Sequence, residues 1–139
     1  MMTWAELNEV RYLKQEVAKV EKEVAALRRS LGIKVPSRDG MPKSTPVDSH
    51  IERVVTRIVD AEQRLEALKK FADEEVAVRV EDRIRREISD STARTLFIFR
   101  YVDCMYFREI GIAMGYSEAH IYYLHREVGR KIISDWREF

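Results

Sequence analysis

The sequence predicts an all-α protein, with a long antiparallel helical hairpin or coiled coil in its N-terminal part and short helices in its C-terminal part. Apolar residues recur at intervals of three and four through most of the first ninety positions. Proline and glycine are concentrated in one short segment, and no segment shows the alternation of apolar and polar residues typical of β-strands. Charged residues make up 35% of the chain, which is usual for long solvent-exposed helices.

The first predicted helix covers residues 3–31. Its apolar residues follow the heptad pattern of a coiled coil: Val10, Leu13, Val17, Val20, Val24, Leu27 and Leu31. Gly32 comes next and is suited to ending the helix, because glycine readily takes the left-handed conformation of a C-cap. We therefore expect one continuous apolar seam along this helix.

A linker is predicted at residues 32–50. All three prolines of the chain lie in this segment, together with two of its five glycines. Proline lacks the backbone N–H that a helix interior needs, and glycine disfavours the helix because of its conformational freedom. The linker is expected to join two helices that pack against each other.

The heptad spacing returns in a second predicted helix at residues 50–72, the expected partner of the first. Between residues 73 and 89 the apolar side chains recur at every fourth position instead. Steps of four rotate the apolar stripe around the helix, so the partner must change or the helix must bend there. Because a two-position seam covers little surface, the pattern favours a homodimer through residues 3–72, with a self-contained hairpin as the alternative.

The predicted arm of residues 1–89 is followed by a second predicted domain at residues 90–139. Ten of the thirteen aromatic residues lie after residue 90, which is typical of a small globular core rather than a coiled coil. A cluster of capping residues at 89–91 precedes a predicted helix at residues 91–103. The C-terminal domain is therefore expected to consist of short, well-packed helices.

A helix, a break and a second helix are predicted between residues 106 and 132, in the stretch YFREIGIAMGYSEAHIYYLHREVGRKI. Gly115 can adopt the left-handed conformation that ends the first helix, and the hydroxyl of Ser117 can cap the second. Gly111 has no side chain at the point where the two helices would cross most closely. Two short helices joined in this way are typical of a helix-turn-helix, whose second helix enters the major groove of DNA.

The second helix is predicted to bury one side and to offer the other to DNA. The side chains expected to be buried are Ile121, Leu124, Val128 and Ile132. The candidate DNA-binding residues are Ser117, Glu118, Ala119, His120, Tyr122, Tyr123, Arg126 and Arg130. Such side chains can exchange hydrogen bonds with base edges, and alanine can touch a thymine methyl group. The alternative is a helix pair used only for protein packing, whose surface would normally carry lysine and glutamate.

The charge of the chain is nearly balanced, with 25 basic and 24 acidic residues and a net charge of +1. Residues 91–139 contain seven basic and six acidic residues, so this segment alone carries +1 as well. Affinity for DNA grows with the number of phosphates that a protein neutralises, so a single copy should bind weakly. Two copies on two half-sites, or one copy held by another DNA-bound protein, would overcome this weakness, and the predicted arm could serve either arrangement.

One set of residues in this segment matches a known pattern: Arg100-Tyr101-Val102, Phe107, Glu109-Ile110, Gly115-Tyr116-Ser117, His120-Ile121 and Leu124-His125. Residues 88–132 thus resemble phage-encoded regulators that carry a domain similar to the fourth region of bacterial sigma factors, near the ArpU and RinA groups of late-gene activators. The resemblance implies a transcriptional regulator that acts in the cytoplasm of a bacterial host cell, with RNA polymerase as a further candidate partner. It implies DNA contacts at Glu118, Ala119, His120, Tyr122 and Tyr123.

No catalytic, cofactor-binding or metal-binding residues are predicted, so an enzyme is not expected. His120 and His125 are five positions apart, which does not place them on one helix face as a chelating pair. The single cysteine, Cys104, excludes a disulfide framework and a cysteine-based zinc site.

Two further classes of protein remain open alternatives, namely a phage small terminase subunit and a coiled-coil adaptor. No secretory signal and no apolar run of about 20 residues is present, so the protein is not expected in a membrane.

Overall fold

The computed structural model describes residues 1–33 and 45–137. These residues form seven α-helices and a π-helical turn: α1 (Trp4–Leu7), α2 (Glu9–Ile33), α3 (Thr45–Phe71), the π turn (Ala72–Val76), α4 (Ala77–Glu87), α5 (Ser91–Tyr101), α6 (Phe107–Met114) and α7 (Glu118–Ile132). The described residues contain no strand beyond an isolated bridge between Met2 and Ile133. The predicted all-α fold class is confirmed. None of the described helices is both long and apolar enough to cross a membrane.

The chain divides into two compact units, one formed by Met1–Lys14 with Phe71–Phe139 and one formed by Gln15–Lys70. The domain boundary predicted between residues 89 and 90 therefore lies inside the first unit. The reason is that α4 and the first fourteen residues pack with the C-terminal helices, which heptad spacing alone did not indicate.

The core of the first unit combines side chains from the N-terminus, from the π turn and α4, and from α5 to α7. Its buried members are Met2, Leu7, Val10, Val76, Val80, Ile84, Ile88, Ala93, Leu96, Phe97, Tyr101, Ile110, Ile121, Ile132 and Ile133. The N-terminus is held to the end of α7 by backbone hydrogen bonds. The Met2 N–H donates to the Ile132 carbonyl, and the Ser134 N–H donates to the Met2 carbonyl, both at 2.8 Å.

The predicted helix at residues 3–31 is interrupted at Asn8, and its apolar seam is divided. Val10 and Leu13 pack in the first unit, whereas Val20 and Val24 pack in the second. The prediction of one continuous seam is corrected accordingly, whereas the dimer through residues 3–72 stays a prediction. Steps of three and four show only which side of a helix is apolar, and say nothing of which partner covers it.

The predicted linker extends too far towards the C-terminus, because α3 begins at Thr45. Residues 45–50 are helical, and Pro46 stands in the first turn, where its missing N–H has no partner within the helix. The predicted linker also includes residues 34–44, which lie outside the described residues.

In the described residues of the second unit, two helical segments run antiparallel, one from α2 and one from α3. Buried Val20, Val24 and Ala61 pack together with Leu27, Leu65 and Leu68, which are partly buried. Three ion pairs flank this core, Glu21–Lys69 at 3.9 Å, Glu23–Arg64 at 2.7 Å and Arg28–Glu62. Exposed ion pairs contribute about 0–1 kcal/mol each, so the apolar contacts account for most of the stability of the pairing.

The π turn coincides with the position at which the apolar spacing changes to steps of four. Ala72 and Val76 within the turn are buried, and Val80, Ile84 and Ile88 continue the same face into the core of the first unit. A π turn has more residues per turn than an α-helix, so the step of four from Ala72 to Val76 keeps these two side chains on one side, whereas the later steps of four in α4 rotate the apolar stripe gradually. The change of apolar spacing that the sequence predicts near residue 73 therefore coincides with the π turn.

Candidate nucleic-acid interface

Helices α6 and α7 are joined by a short turn at residues 115–117. Gly115 has φ 77° and ψ 28°, in the left-handed region, and it ends α6. The hydroxyl of Ser117 accepts a hydrogen bond from the His120 N–H at 3.1 Å and caps α7. Both sequence predictions for this turn are confirmed. We call residues 107–132 the α6–α7 pair.

Gly111 lies where α6 approaches the turn most closely. A Cβ atom at this position would be 2.7 Å from the backbone oxygen of Tyr116 and 3.6 Å from the Ile121 side chain. The Gly111 carbonyl accepts a hydrogen bond from the Tyr116 N–H at 2.9 Å. The close approach therefore needs a residue without a side chain, which fixes the geometry of the α6–α7 pair.

All eight candidate DNA-binding residues are exposed. They lie in the cap and along one side of α7, whereas Ile110 and Ile121 between the two helices are fully buried. The rings of Tyr122 and Tyr123 are each about half exposed, at 47% and 49%. The α6–α7 pair thus buries its apolar side and leaves the candidate residues accessible to a partner.

Exposed rings at the start of α7 form two separate groups. The rings of Tyr116 and His120 have centroids 5.0 Å apart, and those of His120 and Tyr123 are 6.2 Å apart and within 24° of parallel. We call Tyr116, His120 and Tyr123 the aromatic row. Tyr122 belongs to the other group, because its ring contacts Phe107 of α6 at a centroid distance of 4.5 Å. Tyr122 is thus partly engaged in packing, whereas the rings of the aromatic row contact one another.

The buried side of α7 differs from the prediction in two positions. His125 and Gly129 are buried, whereas Leu124 and Val128 are only partly buried. A spacing of four from Ile121 connects the first two, so they continue the buried side of α7. Hydrophobic patterning missed them because neither histidine nor glycine counts as an apolar residue.

His125 lies among aromatic side chains. Its ring stacks on Phe97 at 5.1 Å and meets the edge of Phe107 at 5.0 Å, and the Tyr101 hydroxyl lies 2.5 Å from its Nε2 atom. Burial, with a smaller contribution from the charge of Arg100, lowers the pKa of His125 to about 4. Burial also raises the pKa of Tyr101. His125 is therefore neutral at pH 7, and its Nε2 atom shares a hydrogen bond with the Tyr101 hydroxyl.

Arg100 supports the segment that precedes α6. Its guanidinium lies 4.2 Å above the ring of Phe107, and its Nη1 atom donates a hydrogen bond to the Met105 carbonyl at 3.0 Å. Burial lowers the pKa of Arg100 from its ordinary value. The resemblance depends in part on Arg100, Tyr101 and Phe107. In the structure Arg100 contacts Phe107 of α6 and Tyr101 contacts His125 of α7, so these residues help to hold the two helices in place.

The surface of the α6–α7 pair carries few positive charges. Its exposed basic side chains are Arg108, Arg126, Arg130 and Lys131. The negative charges of exposed Glu109 and Glu118 offset part of this positive charge. Arg130 forms an ion pair with Glu127 at 3.7 Å. Within the described part of the chain, no group of three or more histidine, cysteine or acidic side chains could hold a metal ion.

Comparisons with known proteins returned no counterpart. No protein-family model matches the chain, and neither the search of curated proteins nor that of solved structures gave a match. The interpretation of the α6–α7 pair therefore depends on its own residues and geometry.

Proposed function

We propose that this protein binds double-stranded DNA sequence-specifically through α7, and that it is a phage transcriptional regulator with a helix-turn-helix similar to the fourth region of sigma factors. The observation that carries the proposal is the exposure of all eight candidate residues on one side of α7. The capped turn and the close approach at Gly111 support it, because a recognition helix must be held rigidly against its neighbour.

The order of residues along α7 supports different roles for its two ends, with base-edge contacts near the start and phosphate contacts further along. Residues 117–123 come first, and a recognition helix presents its N-terminal residues to base edges in the major groove. Arg126 follows at the end of the second turn, where it can reach a guanine edge or a phosphate. Arg130 lies one turn further on and is assigned to phosphate contact, which positions the protein without reading sequence.

We expect substitutions at the two ends of α7 to have different effects on DNA binding. His120→Ala should lower affinity for the best duplex by about 1–3 kcal/mol and change which sequences are preferred. Arg130→Ala should weaken binding to all duplexes alike and reduce the slope of log K against log salt by about one. Fluorescence anisotropy at several salt concentrations, with a duplex selected from a randomised pool and a scrambled duplex, measures both effects.

The matched control is Arg57→Ala, which removes an exposed arginine from α3. It should leave both the affinity and the salt dependence unchanged. Circular dichroism should be the same for all variants, because none of these residues lies in the core. If folded His120→Ala and Arg130→Ala proteins bind DNA as tightly as the unaltered protein, α7 does not contact DNA. The α6–α7 pair is then a packing element, and the coiled-coil adaptor becomes the better interpretation.

We further propose that the protein acts as a homodimer through residues 15–70. A groove of about 370 Å³ follows one side of this helical pair and is lined by Glu21, Val24, Ala25, Arg28, Glu62, Leu65 and Glu66. Val55 and Val59, on the same side of α3, leave 42% and 46% of their surfaces exposed. A second copy would cover these apolar side chains and would double the few phosphate contacts available to one copy.

Val55→Asp with Val59→Asp should weaken dimerisation by at least about tenfold, because carboxylates would be buried without partners in the interface. The matched control is Arg53→Asp with Arg57→Asp, which places two carboxylates at the same spacing on the other side of α3. Light scattering over a dilution series measures the mass. A monomeric unaltered protein at every concentration would exclude the dimer, and a ring of many copies would favour the small terminase subunit.

A further inference from the structure

The aromatic row places unusual chemistry at the part of α7 that is proposed to meet base edges. Tyr116 in the turn and His120 and Tyr123 in α7 are exposed, and their rings follow one another along the start of the helix. Ala119, also exposed, adds a methyl group beside them. Besides the polar groups of Ser117, Glu118, His120 and the tyrosine hydroxyls, this part of the surface therefore offers ring faces, ring edges and a methyl group.

Positive charge lies elsewhere on α7. The exposed guanidinium and ammonium groups occur after the aromatic row, at Arg126, Arg130 and Lys131. The bidentate contact to guanine, which needs arginine or lysine, is thus not available from residues 116–123. These residues offer neutral and acidic hydrogen-bonding groups together with apolar contact surface.

The C5-methyl group of thymine is the apolar feature of the major groove, and it is read by apolar side chains. We propose that the aromatic row recognises the C5-methyl groups of thymines, so that the ligand is a duplex with thymine where it meets residues 116–123. This inference rests on the proposed function and names the chemical group that the same surface reads. Ring surface gains free energy from covering a methyl group whatever the exact tilt of the ring, because apolar burial is non-directional.

The test exchanges thymine for uracil, which removes the methyl group and leaves the base-pairing edge unchanged. The probe is a duplex selected by the protein from a randomised pool, synthesised with thymine, uracil or 5-bromouracil at each T position of the protected region. Each contacted thymine should lose about fourfold in affinity on exchange for uracil, the amount expected for one buried methyl-sized group. 5-Bromouracil should restore the affinity, because its bromine atom has about the size of a methyl group.

Two variants connect the effect to the aromatic row. Tyr123→Ala should bind thymine and uracil duplexes more nearly equally than the unaltered protein does. Arg130→Ala should bind both duplexes less tightly but keep the full preference for thymine, since Arg130 is assigned to phosphate contact. Circular dichroism verifies that each variant retains its helical content.

Several results would overturn the inference. Equal binding of thymine and uracil duplexes, or a selected site without thymine in the protected region, would exclude methyl recognition while leaving sequence-specific binding intact. Tighter binding of the separated single strand would show instead that the rings stack on unpaired bases. Failure to bind any duplex would refute both this inference and the proposed function.

Discussion

Lowering the pH from 7 to 4 is expected to reduce the free energy of unfolding by about 3 kcal/mol through His125 alone. The imidazole has an ordinary pKa of 6.5, and burial together with the charge of Arg100 lowers its pKa in the folded protein to about 4. Between these values the unfolded chain takes up a proton and the folded protein does not. Protonation therefore stabilises the unfolded state, and the contribution of His125 to stability is lost as the pH falls through this range.

The contacts of His125 give the physical reason for this expectation. Its ring is enclosed by Phe97, Phe107 and Trp136, which cannot solvate a positive charge as water does. The hydrogen bond between Nε2 and the Tyr101 hydroxyl can persist when the ring is protonated, with Nε2 as the donor, but one hydroxyl does not replace the water that surrounds a charged imidazole in the unfolded chain. A charged imidazole would therefore lose most of its hydration and lie in the field of the Arg100 charge.

Urea unfolding at pH 7, 6, 5 and 4 measures the effect, with His125→Phe as the matched variant that cannot titrate. The variant should lose much less stability over this range than the unaltered protein, whatever its stability at pH 7. Carboxylates elsewhere titrate equally in both proteins, so the difference between the two curves isolates His125. Parallel curves would mean that protonation of His125 does not govern acid unfolding.

Gly129→Ala is expected to lower the free energy of unfolding by about 3 kcal/mol, because there is no room for its methyl group. A Cβ atom at this position would overlap Cζ3 of Trp136. The indole would have to move away from its stack on Trp4, whose ring centroid is 5.2 Å away, and from His125 at 5.7 Å. The loss combines disrupted packing with the loss of favourable contacts between aromatic rings.

The same substitution should have the opposite effect when Trp136 has already been replaced by alanine. Alanine favours a helix over glycine by about 1 kcal/mol, and without the indole nothing offsets this preference. Urea unfolding of the four proteins, unaltered, single and double, measures the coupling between positions 129 and 136. Equal destabilisation by Gly129→Ala in both backgrounds would show that its effect does not come from contact with Trp136.

Much of the local structure was predictable because the signals are local. The left-handed Gly115, the capping hydroxyl of Ser117 and the close approach at Gly111 each follow from residue type and position. The exposure of Tyr123 and Arg126 followed from the 3.6-residue period of a helix, which places them away from Ile121. The all-α class needed no more than the periodicity of the apolar residues.

The buried surroundings of α7 were not predictable, because they depend on residues distant in sequence. His125 and Gly129 are buried only because Phe97 and Trp136 pack against them. No periodicity of apolar residues assigns an imidazole to a core, and its low pKa results from that packing.

The sequence by itself determined that the chain is helical, where the turn between α6 and α7 lies, and that the eight candidate residues at and after Ser117 are exposed. Only the tertiary structure decided which apolar sides meet. Val10 and Val20 belong to one heptad pattern, yet Val10 packs with α4 and the C-terminal helices while Val20 packs with Ala61. The Met2 hydrogen bonds to the end of α7 likewise join residues more than a hundred positions apart. The physical reason is that burial of apolar surface is favourable and non-directional, so spacing marks the side to be covered and long-range packing selects what covers it.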